Sequence, residues 1–385
     1  MFREFAAGLL VCGWLAGGGE ASAGSTRPAD PAQLPSGLPD PATAPALKDL
    51  FAARFFIGGA IQPSQLAVPA DLDLLRKHFS SITAETVMKP ATIGPAEGRY
   101  NFAPADQLIR FAEANSMHVR GHTLLWHRNA PTWFFAGDRS DGAAYRALVR
   151  RRLETYIANV VAHFRGKLYS WDVVNEVASD NAGETYRETS PWFTALGPDY
   201  IDYAFRAARA ADPGARLYLN DYNTEQPQKR ARVLAIVRDL KAKGVPIDGV
   251  GHQLHLHVNA SATAVDEALR AVEALGLENQ VTELDVSIYA DPGSCYANHI
   301  ACQPDSGGAV SQSTLSRQAA LYRSLFDVFK AHPSITAVTT WGLSDGHTWL
   351  NRFPVTRTNL PLLFDTSRQP KWAFWAVADP SIRIP

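Results

Sequence analysis

Cysteine is scarce in this chain, three residues of 385. Charge of one sign is lacking too: 37 Lys and Arg face 38 Asp and Glu, for a formal net charge of -1. No basic patch strong enough to hold nucleic acid appears, and no long acidic tail. No glycine-rich phosphate fingerprint follows the first predicted strand, which argues against a doubly wound nucleotide-binding sheet. There is no internal repeat and no sign of a second domain. What is present is 46% hydrophobic against 19% charged residues, the balance of a folded core. Tryptophan is abundant, at nine residues.

Long apolar runs are missing except at the N-terminus. There Arg3 precedes an apolar stretch from Phe5 to Ala16, and small residues end in Ala21-Ser22-Ala23. Residues 1–23 therefore read as a secretory signal. The run is shorter than the ~20 residues a spanning helix needs, and Val11 before Cys12 is too large for a lipidation site. Residues 24–46, rich in Pro and Ala, read as a mobile leader. Removal of the signal leaves Cys295 and Cys302 in one Gly/Pro/Asn-rich stretch, where an oxidising compartment favours a disulfide closing the loop. Two thiolates alone do not fill a zinc shell. The expected location is extracellular or periplasmic.

From residue 47 to 385 strand and helix patterns alternate. β-rich runs fall at Phe55–Gln62, Ser81–Glu85, Val119–Trp126, Tyr169–Glu176, Arg216–Asn223, Gly249–Leu256, Gln280–Ile288 and Ala337–Asp345. Helical spacing marks Ala143–Phe164, with Tyr145, Leu148, Leu153, Tyr156, Ile157 and Val160 on one face, and Leu315–Lys330. This alternation predicts an α/β fold, a parallel (β/α)8 or TIM barrel forming a single catalytic domain. Polar and aromatic residues collect at the C-terminal ends of the runs: Glu85, His122, Trp126, Asn175, Glu176, Asn223, Gln253, His255, Glu283 and Trp341. A barrel gathers those ends at one mouth, while strand interiors are expected to be apolar.

Glu176 ends the fourth run and Glu283 lies in the seventh. Two carboxyl groups across a barrel mouth suit glycoside hydrolysis, one protonating the departing oxygen and the other meeting the developing cation. The stretches Ala84–Lys89, Gly121–His127, Trp171–Glu176, Asn220–Asn223, Gly251–His255, Thr282–Asp285, Trp341–Asp345 and Leu360–Asp365 together resemble glycoside hydrolase family 10, the barrel xylanases, and the likeness covers roughly residues 47 to 378. It implies an endo-1,4-β-xylanase that retains configuration, with Glu176 as acid/base and Glu283 as nucleophile. His255 would hydrogen-bond Glu283 while Asp285 orients the imidazole. Asn175 would contact the sugar 2-hydroxyl, and Gln253 would sit beside the nucleophile. Glu85, Lys89 and His122 would bind hydroxyls on the non-reducing side. Trp126, Trp341 and Trp349 would form aromatic walls, and Tyr222 a platform on the leaving side. A non-proline cis peptide is expected at His122–Thr123. Two positions depart from the family: Thr86 where it usually has Asn, and Asn129 where it usually has Gln, both on the second non-reducing subsite.

His252, His255 and His257 resemble a metal cluster, but in a strand His252 points away from the other two. No metal or cofactor is expected. Trp14, Trp133, Trp192, Trp372 and Trp375 read as core residues, Asp221 and Glu225 as structural carboxylates, and Arg150, Arg151 and Arg152 as a solvated face. The expected partners are xylan and xylo-oligosaccharides, without nucleic acid or a membrane span after signal removal, and the chain is expected to act as a monomer.

Overall fold

The computed structural model describes residues 37–307 and 309–385. The expected signal, with Trp14, and residues 24–36 of the expected leader lie outside the described residues. A compact unit runs from Pro39 to Pro385, so it takes in residues 39–46, which composition assigns to the leader. Asp40 there caps a 3₁₀ turn at Pro41–Thr43, and Ala44 is buried ahead of fully buried Leu47. One small anchor among prolines leaves no periodicity to read.

Eight strands close a ring: β1 (Phe56–Ile61), β2 (Ser81–Ala84), β3 (His118–Gly121), β4 (Ser170–Asn175), β5 (Arg216–Asp221), β6 (Gly249–His252), β7 (Glu278–Ser287) and β8 (Ile335–Thr340). Each is parallel to its neighbours, and β8 pairs with both β7 and β1, which seals the barrel. A helix follows each strand: α1 (Pro69–His78), α2 (Ala103–Ala114), α3 (Gly142–His163), α4 (Asp199–Ala211), α5 (Pro227–Ala242), α6 (Ala262–Glu273), α7 (Gln312–Ala331) and α8 (Trp372–Ala378). Proline opens α1 and α5, and Asp141, Ser261 and Ser311 cap α3, α6 and α7 through side-chain oxygens. The buried stripe of α3 is Val149, Leu153, Tyr156, Ile157, Val160 and Val161; Tyr145 and Leu148 are only half-buried at its start. Among the described residues no helix is long and apolar enough to cross a membrane.

The strand interiors differ from the apolar expectation. Arg120 is fully buried in the barrel, where its guanidinium pairs with Asp172 and donates from Nε to Gln280 Oε1 at 2.8 Å. A lumen-facing position tolerates such groups when every charge is paired. Gly121 is required beside them, because a Cβ there would run into the buried Trp171 indole.

Two units are broken at the mouth. Leu125–Trp126 resumes the third strand against β4, and His255–His257 resumes the sixth against β7. The His122–Thr123 and Phe353–Pro354 peptides are cis. Left-handed backbone at Glu176, Asn223 and Leu254, with φ of 61, 55 and 53, turns the chain sharply just past β4, β5 and β6. The predicted runs overshoot these ends: Glu85, Glu176, Gln253 and Trp341 stand just beyond the strands, on the rim.

Candidate active site

Glu283 lies within β7 and Glu176 directly follows β4, both buried at the mouth. An amide cluster joins them. Asn220 Nδ2 is 2.8 Å from Glu283 Oε1 and 2.8 Å from Asn175 Oδ1. Gln253 Nε2 is 3.2 Å from Asn175 Oδ1 and 3.3 Å from Glu176 Oε1. Gln253 thus touches β7 through its backbone carbonyl, which accepts from Glu283 N at 3.1 Å, while its side chain turns toward Glu176. The side chain beside Glu283 is Asn220 instead, held in turn by Thr282 Oγ1 at 2.7 Å.

A second chain of contacts backs Glu283. His255 Nε2 stands 3.2 Å from Glu283 Oε2 and its Nδ1 2.9 Å from Asp285 Oδ2. Trp349 Nε1 donates to the same Asp285 oxygen at 2.8 Å. Burial disfavours the charged His255, but the two carboxylates outweigh it and lift the imidazole to about 10. Burial also pushes Glu283 up, yet the His255 hydrogen bond and the positive surroundings of His122, His255 and Lys89 hold it at about 2. Glu176 goes the other way. Burial raises its pKa, and Asp221 and Glu283 add to the rise. The mouth therefore holds one firmly ionised carboxylate and one that keeps its proton more readily.

Around this pair, His122 is buried with Nδ1 2.8 Å from Asp172 Oδ2 and its ring edge-on to Trp341 at 5.2 Å. Lys89 Nζ lies 4.8 Å from the Trp126 ring and 5.7 Å from Trp341. Burial lowers its pKa against the pull of Glu283, Glu85 and Glu176. Half-buried Glu85 faces His347 at 3.4 Å. Tyr222 is half-buried, its hydroxyl bonded to Asp180 and to Arg187 Nη2.

Other residues fall outside the chemistry. Both ring nitrogens of His252 are occupied, by Thr224 at 2.7 Å and Asn279 at 2.8 Å, and His257 Nδ1 accepts from Asn259 N. Asp221 is fully buried, bonded to Ala178 N and Lys229, while Glu225 Oε2 is buried without a partner. Trp192, Trp372 and Trp375 are core residues, and half-buried Trp133 donates to Gly94 O. Arg152 is no free surface charge, since it holds Glu97 and the Phe134 and Ala136 carbonyls. Cys295 and Cys302 form a disulfide. Asn220, Asp172, His127 and Arg187 escape sequence reasoning as site residues. A polar side chain within the β5 run was the signal for Asn220.

Residues 46–380 match the profile of Glycosyl hydrolase family 10. The "Thermostable celloxylanase" of Thermoclostridium stercorarium is 42% identical over 354 residues, 88% of each chain. The "Beta-1,4-xylanase" of Dictyoglomus thermophilum is 41% identical over 336 residues, covering 86% of this chain and 90% of that one. Some relatives are much longer: the chain spans 31% of the "Endo-1,4-beta-xylanase A" of Thermotoga maritima. The crystal structure of xylanase B from Clostridium stercorarium F9 superposes with a TM-score of 0.81 at 41% identity, over 87% of this chain and 100% of that one. By profile, sequence and fold together, the chain belongs to glycosyl hydrolase family 10.

Proposed function

We propose that this glycoside hydrolase is an endo-1,4-β-xylanase that cleaves internal bonds of xylan with retention, Glu176 acting as acid/base and Glu283 as nucleophile. The observation that carries the mechanism is the opposite electrostatic bias of the two carboxyl groups across one amide cluster. Ionised Glu283 attacks the anomeric carbon while Glu176 gives its proton to the departing oxygen. The ester formed at Glu283 carries no charge, so one of the influences raising Glu176 disappears. Glu176 then accepts a proton from water as that water releases the sugar. Asn175, whose amide lies 3.4 Å from Glu176 Oε1, is the residue we assign to the sugar's 2-hydroxyl. The substrate class rests on what the relatives are named for.

Reducing ends should appear from xylan, with far fewer from carboxymethylcellulose and none in buffer. The reverse preference would assign the barrel to β-glucans. A 2-fluoro-xylobioside inhibitor should label Glu283, and labelling at another residue would remove the nucleophile assignment. Export is part of the same proposal, supported by residues 1–23 and by a disulfide that needs an oxidising compartment. Cleavage after Ala23 is the expected mature N-terminus.

A further inference from the structure

Glu176 sits on left-handed backbone, φ 61, one residue past the end of β4. Two hydrogen bonds clamp it. Its N–H donates to Asn220 O at 2.8 Å, and its carbonyl accepts from Arg187 Nε at 2.8 Å. Arg187 reaches that carbonyl because the chain past β4 doubles back. Ala178 and Tyr186 form an antiparallel bridge, and Arg187 N donates to Val177 O at 2.8 Å. The far end of the same guanidinium faces the other way. Its Nη2 donates to the Tyr222 hydroxyl at 2.7 Å and to Asp180 Oδ2 at 3.0 Å. One rigid, planar group therefore spans the peptide of the acid and the ring on the leaving side. It also adds positive charge near His127, whose Nδ1 lies 3.9 Å from Glu176 Oε2. Burial first, and then Arg187 and Arg128, hold that imidazole at about 3, so it is neutral beside the acid.

We infer that Arg187 is a positioning residue for proton transfer, fixing the backbone of Glu176 and locking its aim to the Tyr222 wall where the leaving sugar docks. The inference rests on the reading of Glu176 as acid. An arginine that only stabilised the fold would lower all rates alike. One that aims the acid matters in proportion to the leaving group's need for a proton.

The test is kcat/KM for Arg187→Met on a series of aryl β-xylobiosides, from dinitrophenyl, which leaves unaided, to phenyl, which needs protonation. None carries a leaving-side sugar, so lost sugar binding near Tyr222 does not enter. The dinitrophenyl rate should stay within about threefold, and the phenyl rate should fall at least tenfold further, a fraction of the ~10²–10⁴-fold that general acids contribute. Arg187→Lys, which keeps the charge but cannot bridge both partners, should show a smaller change in the same direction. It also serves if the methionine variant does not fold. Glu176→Ala, run alongside, should show the full steepening. A flat series for Glu176→Ala would remove the acid assignment. A steep one there with an unchanged ratio in both Arg187 variants would overturn the positioning role alone.

Discussion

Thr86 and Asn129, the two departures from the family pattern, are already engaged by the protein. Thr86 Oγ1 donates to Gln62 Oε1 at 2.6 Å, and Asn129 Oδ1 accepts from Ala91 N at 2.7 Å. A hydroxyl offers less than an amide's donor and acceptor together, and Asn is one methylene shorter than Gln. Each side chain thus has an oxygen already engaged by a neighbour. The second non-reducing subsite should therefore be weak. Restoring it with Thr86→Asn and Asn129→Gln should add two neutral hydrogen bonds at about 0.5–1.5 kcal/mol each. That corresponds to roughly 5- to 150-fold in kcat/KM on xylotriose and xylotetraose, with little change on xylohexaose. No gain on the short oligosaccharides would show that other groups, Gln62 among them, already fill the role. The two glutamates that the barrel brings to its mouth were legible at this scale because each stands in a distinctive run of neighbours. Asn220 was not, since its partner Glu283 is 63 residues away and only the closed barrel brings them together.

The connection between β7 and α7 shows how an element supports the site from outside. Its short helix, Gly293–Asn298, carries Tyr296, and His299 follows it. Both rings pack on Phe353, at 6.1 and 6.2 Å. Phe353 stacks on Trp349 at 5.4 Å, and Trp349 holds Asp285. The Cys295–Cys302 disulfide closes only this tip, with a sequence separation of 7. The base of the loop is tied independently, by Arg357 paired with Asp291 and donating to Gln303 O at 2.9 Å. A loop this short stabilises by about 2.5 kcal/mol at most through the unfolded chain. Cys295→Ser with Cys302→Ser should thus lower the unfolding temperature by a few degrees and leave kcat on xylan within about twofold. A tenfold loss of kcat in the folded variant would mean that the tip itself sets the aim of Trp349. Composition pointed to this disulfide, whereas the aromatic file behind it spans two loops far apart in sequence and left no local signal.

The whole barrel was legible because eight β-rich runs alternate with helical spacing, and the structure keeps all eight within a few residues. The buried polar belt inside it was not, since Arg120, Asp172 and Gln280 look like errors in a strand until their partners on neighbouring strands are known. His252 lies on the other face of the sheet, where its partner Asn279 also donates to Leu269 O of α6. It ends β6, and its two ring nitrogens bind Thr224, beyond β5, and Asn279, on β7. Three successive units of the ring are tied through one imidazole. Burial holds it at about 4, from an ordinary 6.5, so the folded chain resists protonating it. The unfolded chain takes up that proton below about pH 6.5. His252 therefore contributes stability that is fully present above pH 6.5 and is lost as pH falls toward 4. Asp345, raised by burial to about 6, and the other perturbed carboxyl groups act in the same range, so the wild-type curve alone does not isolate His252. Those groups are common to wild type and His252→Gln and cancel in their difference. The variant should be less stable at pH 7, through the disturbed ties to Thr224 and Asn279. The gap between the two proteins should then narrow by up to about 3 kcal/mol as pH falls to 4, because each tenfold difference in proton affinity between the folded and unfolded chain is worth about 1.4 kcal/mol. Chemical denaturation at pH 7, 5.5 and 4 measures it. A gap that stays constant, or widens in acid, would mean that His252 is protonated in the folded barrel and that its bonds to the neighbouring units are those of a cation.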